Sequence, residues 1–173
     1  MYDDEFELTF DLSDADEASR APAPEPAAET EPPVEAVPEP AVPAANGRCV
    51  LISGGDRGIG AAAARAFWQA GYRVAVLYHT HAEAAAALEK ALPGLLAVQC
   101  DVASRASCEV AFHTVEQAVG HVDVLVSNAG IAQQKLFTDI TPEEWQHMLD
   151  VNLSGAFHLC QLALPGMIRR KAG

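Results

Sequence analysis

Between Ser53 and Gly60 the chain reads Ser-Gly-Gly-Asp-Arg-Gly-Ile-Gly, which places Gly54, Gly58 and Gly60 at G-x-x-x-G-x-G spacing. Glycines in such a run let backbone turn sharply, approach a ligand closely and aim free N–H groups at it. The ligand that gains most is a phosphate, because a helix starting behind the turn adds partial positive charge at its N-terminus. Arg57 adds a guanidinium able to make a charge-assisted contact with a further phosphate. Asp56 beside it brings the opposite charge. Three later points carry polar groups of similar promise: Asp101-Val102, Ser127-Asn128-Ala129-Gly130, and Asn152 within Asp150-Val151-Asn152-Leu153. An Asn inside an apolar helical stretch is unfavourable in itself, so its presence hints at a task. His79 and His81 form an H-x-H pair, and the other four histidines are scattered. A metal site needs three or four convergent ligands, and none is expected here.

These residues need elements to position them. Cys49-Val50-Leu51-Ile52 is a short apolar run, as a parallel strand covered on both faces requires. A small-residue helix follows from Ile59 to Ala70, with Gly71 at its C-terminal cap. Strands are then expected at Arg73–Leu77, Leu95–Val98 and Val122–Val126. Helices are expected at Ala82–Leu92, with Thr80 and Glu83 at capping-box spacing, and at Arg105–Val119, capped by Ser104 and ended by Gly120. Thr141-Pro142-Glu143-Glu144 is a strong helix start, and the helix reaches toward Arg170 unless Pro165-Gly166 bends or ends it. Repeated β-α units predict an α/β fold, a doubly wound parallel sheet of Rossmann type with helices on both faces. Ligands bind such sheets beyond the carboxyl ends of the strands, where strand order reverses. Every motif above lies at such an end.

Charge divides the chain at about residue 46. Residues 1–46 hold 13 of the 24 acidic residues and one of the 11 basic ones, whereas residues 47–173 are nearly neutral. Neither part has the basic footprint of a nucleic-acid binder. No stretch is apolar enough to span a bilayer. The acidic start does not read as a secretory signal, and a cytoplasmic protein is expected. Residues 19–46 carry eight prolines among Ala and Glu, a composition that cannot build a core and predicts a disordered acidic linker. Nearer the start, Phe6, Leu8, Phe10 and Leu12 alternate with polar residues, so this segment is a candidate for docking on a partner's sheet edge. Cys49, Cys100, Cys108 and Cys160 share no metal spacing and are expected to be reduced, buried thiols. Met148 and Met167 are expected to fill core or interface.

The Ser53–Gly60 turn resembles the T-G-x-x-x-G-x-G turn of the short-chain dehydrogenase/reductase family, with Ser53 in place of Thr. Asp101-Val102, Ser127-Asn128-Ala129-Gly130 (for N-N-A-G) and Asn152 extend the likeness over 48–173. The resemblance implies that Gly54, Gly55, Asp56, Arg57, Gly58, Ile59 and Gly60 hold a cofactor pyrophosphate. It implies that Asp101, beside Val102, meets the adenine amino group, that Asn128 contacts the ribose, with Ala129 in the same cofactor-binding stretch, and that Gly130 lets backbone near the nicotinamide. It assigns Asn152 to a catalytic proton relay, with its main chain breaking the helix locally. An acidic residue at the end of the second strand would favour NAD. Tyr78 stands there, followed by His79 and Thr80, so with Arg57 nearby NADPH is expected over NADH.

The same family uses a Tyr-x-x-x-Lys pair and a Ser to protonate and orient a carbonyl during hydride transfer. No Y-x-x-x-K occurs in this chain. The expectation is therefore a cofactor half, truncated after the fourth β-α unit, inactive alone, and marginal in stability because its fourth strand exposes an apolar edge. Within the family the likeness is to bacterial 3-oxoacyl-acyl-carrier-protein reductases. Residues 131–141 also resemble reductases of the 5-aminopentanone group on elongation factor P. The implied partners are a small-molecule or carrier-bound carbonyl substrate and a homotetrameric assembly of the whole protein. Two non-enzymatic alternatives are a nucleotide-binding module with an acidic docking tail and a structural subunit completed by a second chain.

Overall fold

A computed structural model describes residues 45–173. The acidic linker and the alternating segment near Phe6 lie outside the described residues. Four parallel strands, β1 (Cys49–Ser53), β2 (Arg73–Tyr78), β3 (Leu96–Gln99) and β4 (Val124–Ser127), form one sheet in the order β3-β2-β1-β4. The helices are α1 (Gly58–Gln69), α2 (Ala82–Ala91), α3 (Arg105–Val119), α4 (Pro142–Leu149) and α5 (Gly155–Arg170). All five residues of β1 are buried, because it sits between β2 and β4 with helices on both faces.

The pleat splits the strands between two cores. Val50, Ile52, Val74 and Val76 pack with Ala61, Ala64 and Trp68 of α1 and with Leu88 of α2. Leu51, Ala75 and Leu77 face the other way, onto Cys108, Phe112 and Val115 of α3 and Leu159 and Ala163 of α5. An uninterrupted apolar run is therefore what the central strands require. The chain moves outward from β1 to β3 and then returns to the far side of β1 for β4. Strand order thus reverses between β1 and β4, and the glycine turn leaves β1 at this point. β4 has a single strand neighbour among the described residues, and its Val124, Leu125 and Val126 are only half-buried, in keeping with the expected apolar edge.

Several local expectations need correction. Thr80 and Glu83 do not form a capping box. α2 starts one residue later than that box requires, with His81 at its N-cap, and the Thr80 hydroxyl lies 3.2 Å from His81 Nδ1 instead. β3 begins at Leu96 and β4 at Val124, because Leu95 and Val122 are buried in the approaches rather than paired in the ladder. Pro165 does not end the last helix. α5 runs on to Arg170, whose guanidinium donates to Val122 O at 2.8 Å, and Lys171 closes the helix at φ 53°. The local break at Asn152 that the family likeness implied is present, as a π turn over Asp150–Ser154 between α4 and α5. Cys160 is exposed on α5, unlike the three other cysteines, which are buried. Met167 packs against the α3–α5 core as expected.

Two caps behave as expected. The Ser104 hydroxyl accepts from Ser107 N, and Gly120 leaves α3 at φ 86°. At α4 the Thr141 hydroxyl accepts from Glu144 N at 3.2 Å while the Glu144 carboxylate accepts from Thr141 N at 2.9 Å.

Candidate functional site

The turn after β1 is held by contacts that the glycines permit. A Cβ on Gly60 would run into Gly54 O, and one on Gly55 would stand 2.6 Å from Val76 Cβ. A Cβ on Gly54 would lie 3.0 Å from Ala129 Cα. Gly54 and Gly58 also have φ of 62° and 54°, where side chains are rarely tolerated. The turn delivers the chain to α1 with Arg57 at the N-cap in extended conformation and no side chain capping the helix. The first N–H groups of α1 therefore have no intrahelical or capping partner, and Gly58 and Ile59 line the cleft there.

Ser53 and Asn128 lock the turn to the end of β4. The buried Ser53 hydroxyl accepts from Asn128 N at 3.1 Å and from Ala129 N at 3.0 Å. Asn128 Nδ2 donates to Ser53 O at 3.0 Å and to Gly54 O at 2.9 Å. A second lock ties the next loop to the π turn. Asn152 Oδ1 accepts from Ile131 N at 2.8 Å, and its Nδ2 donates to Ile131 O at 3.0 Å. Gly130 fits beneath this pair, since a Cβ there would stand 3.1 Å from Asn152 Oδ1.

The outcome is one cleft of about 550 Å³ at the carboxyl ends of β1–β4, within the size range of a small-molecule site. Gly54, Asp56, Arg57, Gly58 and Ile59 border it from the turn. His79 joins from the end of β2, and Asp101 and Val102 from the end of β3. Asn128, Ala129 and Gly130 border it from β4. Gly55 and Gly60 do not line it; they are buried behind the turn, where their lack of a side chain allows its close packing. Asn152 also stands back and acts on the cleft through Ile131, which does line it. Asp101 has one oxygen engaged locally, with Oδ1 accepting from Ala103 N at 3.0 Å.

Sequence reasoning did not count Tyr78, Thr80, His81, Cys100, Ile131, His147 and Val151 as site residues, and all of them border the cleft. Tyr78, Thr80 and His81 were findable, since they follow the same strand end as His79. His147 and Val151 are four apart across the end of α4, and only the packing of that helix brings them there. Among the described residues no group of His, Cys, Asp and Glu could hold a metal ion.

Electrostatically the cleft is mixed. The Asp56 carboxylate is 6% exposed, and its Oδ2 has no hydrogen-bond partner among the described residues. Cys100 and Cys108 lie with their sulfurs 4.0 Å apart behind the β3 end. The hydrogen bond to Cys100, together with burial, holds the Cys108 thiol protonated, well above the usual thiol range.

A family model described as short chain dehydrogenase matches residues 48–173. The chain belongs to the short-chain dehydrogenase family. Among curated relatives of this short-chain dehydrogenase, acetoacetyl-CoA reductase of Paracoccus denitrificans is 37% identical over 126 residues, covering 73% of this chain and 52% of the relative. The 3-oxoacyl-[acyl-carrier-protein] reductase MabA of Mycobacterium tuberculosis is 40% identical over 126 residues, covering 73% of this chain and 48% of the relative. Among solved structures, a blue fluorescent protein from a metagenomic library in complex with NADPH matches with TM-score 0.67 and 31% identity, covering 69% of this chain and 51% of that one. The chain spans about half the length of the curated relatives it matches. It therefore shares a family of oxidoreductases and its parallel-sheet fold.

Proposed function

We propose that this chain is the cofactor-binding part of an NADPH-dependent reductase that converts the 3-oxo group of an acyl thioester to a hydroxyl. The observation that carries the reading is the uncapped N-terminus of α1 behind a glycine turn, with Arg57 at its lip and Tyr78, not a carboxylate, ending β2. In this reading the free N–H groups of α1 and the glycine backbone hold the pyrophosphate, and Arg57 meets the 2′-phosphate. Asp101 and Val102 take the adenine side, Asn128 and Ala129 support the ribose side, and Gly130 gives room near the nicotinamide. Asn152 belongs to the proton-relay side, fixing Ile131 by its carboxamide while the π turn displaces its own backbone from regular pairing. When bound, the cofactor supplies a hydride. The choice of a 3-oxoacyl thioester is supported by the two reductases named above, one acting on acetoacetyl-CoA and one on a carrier-bound 3-oxoacyl group. A cytoplasmic setting suits three buried, unpaired thiols. A homotetramer of the whole protein is supported by the exposed Leu153, Phe157, Leu164 and Ile168 along the π turn and α5.

The test is titration of the 173-residue chain with NADPH and with NADH, followed by nicotinamide fluorescence. NADPH should bind more tightly, and Arg57→Ala should weaken NADPH roughly tenfold while leaving NADH nearly unchanged, as loss of one charge-assisted contact predicts. Equal effects on the two cofactors would refute the assignment.

A further inference from the structure

The Asp56 carboxylate is buried at the cleft, and one of its oxygens lacks a hydrogen-bond partner among the described residues. Such a group is costly unless a cation or a donor can reach it. The nearest group able to serve is His81, whose Nδ1 lies 3.6 Å from Asp56 Oδ2, within ion-pair range but beyond a hydrogen bond. On its other edge, His81 Nε2 lies 3.4 Å from a terminal guanidinium nitrogen of Arg57. The ring is about half exposed, at 47%, and it stands at the N-cap of α2, where helix polarity favours an anion. Asp56, His81 and Arg57 thus form one row along the lip of the cleft.

The row has two charge states. With a neutral ring, Nε2 can accept from Arg57, and the charges of Arg57 and Asp56 cancel. With a protonated ring, the added positive charge offsets the Asp56 carboxylate, while Nδ1–H lies between the Thr80 hydroxyl at 3.2 Å and Asp56 Oδ2 at 3.6 Å and the new Nε2–H faces the Arg57 guanidinium. Two cationic groups at 3.4 Å repel unless an anion lies against both. A phosphate monoester has the charge and the acceptor oxygens to do so. The other titratable groups facing this region are Tyr78 and His79 at the end of β2, Glu83 in the first turn of α2, Cys100 and Asp101 at the end of β3, and His147 on α4.

We propose that Asp56, His81 and Arg57 together form a proton-gated receptor for the 2′-phosphate of the cofactor, so that protonation of His81 raises discrimination for NADPH over NADH. This rests on the NADPH reading above and adds to it a specificity-determining pair, Asp56 and His81, that acts with Arg57. Discrimination therefore rises as the pH falls and the imidazole gains its second proton. A coupling of one pKa unit between the proton and the phosphate would change the affinity ratio tenfold.

The experiment measures dissociation constants of NADPH and NADH for the 173-residue chain at several pH values from 5.5 to 8.5. The phosphate's own titration is common to all variants, so it cancels when variants are compared. The NADPH preference should rise several-fold toward acid in the parent chain. His81→Asn, a change at a half-exposed position, should flatten that rise. Asp56→Asn should strengthen NADPH binding at pH 8 and reduce the slope. The proposal is overturned if His81→Asn keeps the parental slope, or if His79→Asn abolishes the slope while His81→Asn does not. If NADPH is never preferred and Arg57→Ala affects both cofactors alike, the NADPH reading fails as well. An Arg57-dependent NADPH preference with an unaltered slope in His81→Asn sinks the proton gate alone.

Discussion

Ser53 shows how much of the site rests on one small side chain. Its hydroxyl is fully buried and accepts from two successive amides, Asn128 N and Ala129 N, which fixes the β4 loop against the glycine turn. Replacing Ser53 with Ala leaves both amides without an acceptor in a buried place. The expected loss is about 2 kcal/mol of unfolding free energy, measured by urea denaturation. Ser53→Thr retains the hydroxyl, and its cost should fall well below that of Ala. The sequence marks Ser53 only as the first residue of a phosphate-type turn, because nothing in its spacing reveals a partner 75 residues away. Asn128 has the same history. Read as a ribose contact, it spends both amide hydrogens on backbone carbonyls of the turn.

At the level of elements, α4 is the helix whose start is written most clearly in local residues. Thr141, Pro142 and Glu144 form a complete cap, and Lys135 reaches Glu144 from the preceding loop at 2.7 Å. The Lys135 ammonium, and then the Thr141 amide, hold the Glu144 carboxyl below its ordinary value of 4.5. A carboxyl with a lowered pKa in the folded state contributes stability above its unfolded pKa and loses it as the pH falls through the folded one. The advantage of the parent chain over Glu144→Gln should therefore be present at pH 6 and fade below about pH 4.5, as read by denaturant unfolding at each pH. An advantage that stays constant down to pH 3 would show that the cap does not depend on charge. The α2 start is the contrasting case. Thr80 and Glu83 have the spacing of a cap, yet tertiary packing starts the helix at Ala82 and leaves His81 at the cleft. The continuation of α4 into α5 was half legible: the break at Asn152 was implied by the family likeness and is present as the π turn, whereas Pro165, expected to bend or end the helix, does not end it.

Across the described domain, two cores on opposite faces of one sheet decide which thiols meet solvent. Cys49, Cys100 and Cys108 are buried, and desolvation pushes the Cys49 thiol up to about 11. Cys160 is exposed on α5. A thiol reagent at pH 8 should label one cysteine quickly in the folded chain and all four after denaturation. Cys160→Ser should remove the fast phase; a fast phase that survives this change would mean that a core around Cys49 or Cys100 opens readily. The cysteine pattern alone could not separate these cases, because Cys160 lies in an apolar helical run just as Cys108 does.

From residue order alone came the alternating β-α units, the parallel sheet, and the strand-end positions of Gly54–Gly60, Asp101 and Asn128. These are legible because a buried parallel strand must be apolar on both faces, a tight phosphate turn needs glycine, and helix starts use a few side chains at fixed offsets. Tertiary structure alone decided how those points meet. It spent Asn128 and Asn152 as locks, and it set Gly55 and Gly60 behind the cleft. It also placed His81 between a buried carboxylate and an arginine. Such contacts join groups dozens of residues apart through the reversal of strand order beside β1, and no local pattern along the chain records that distance.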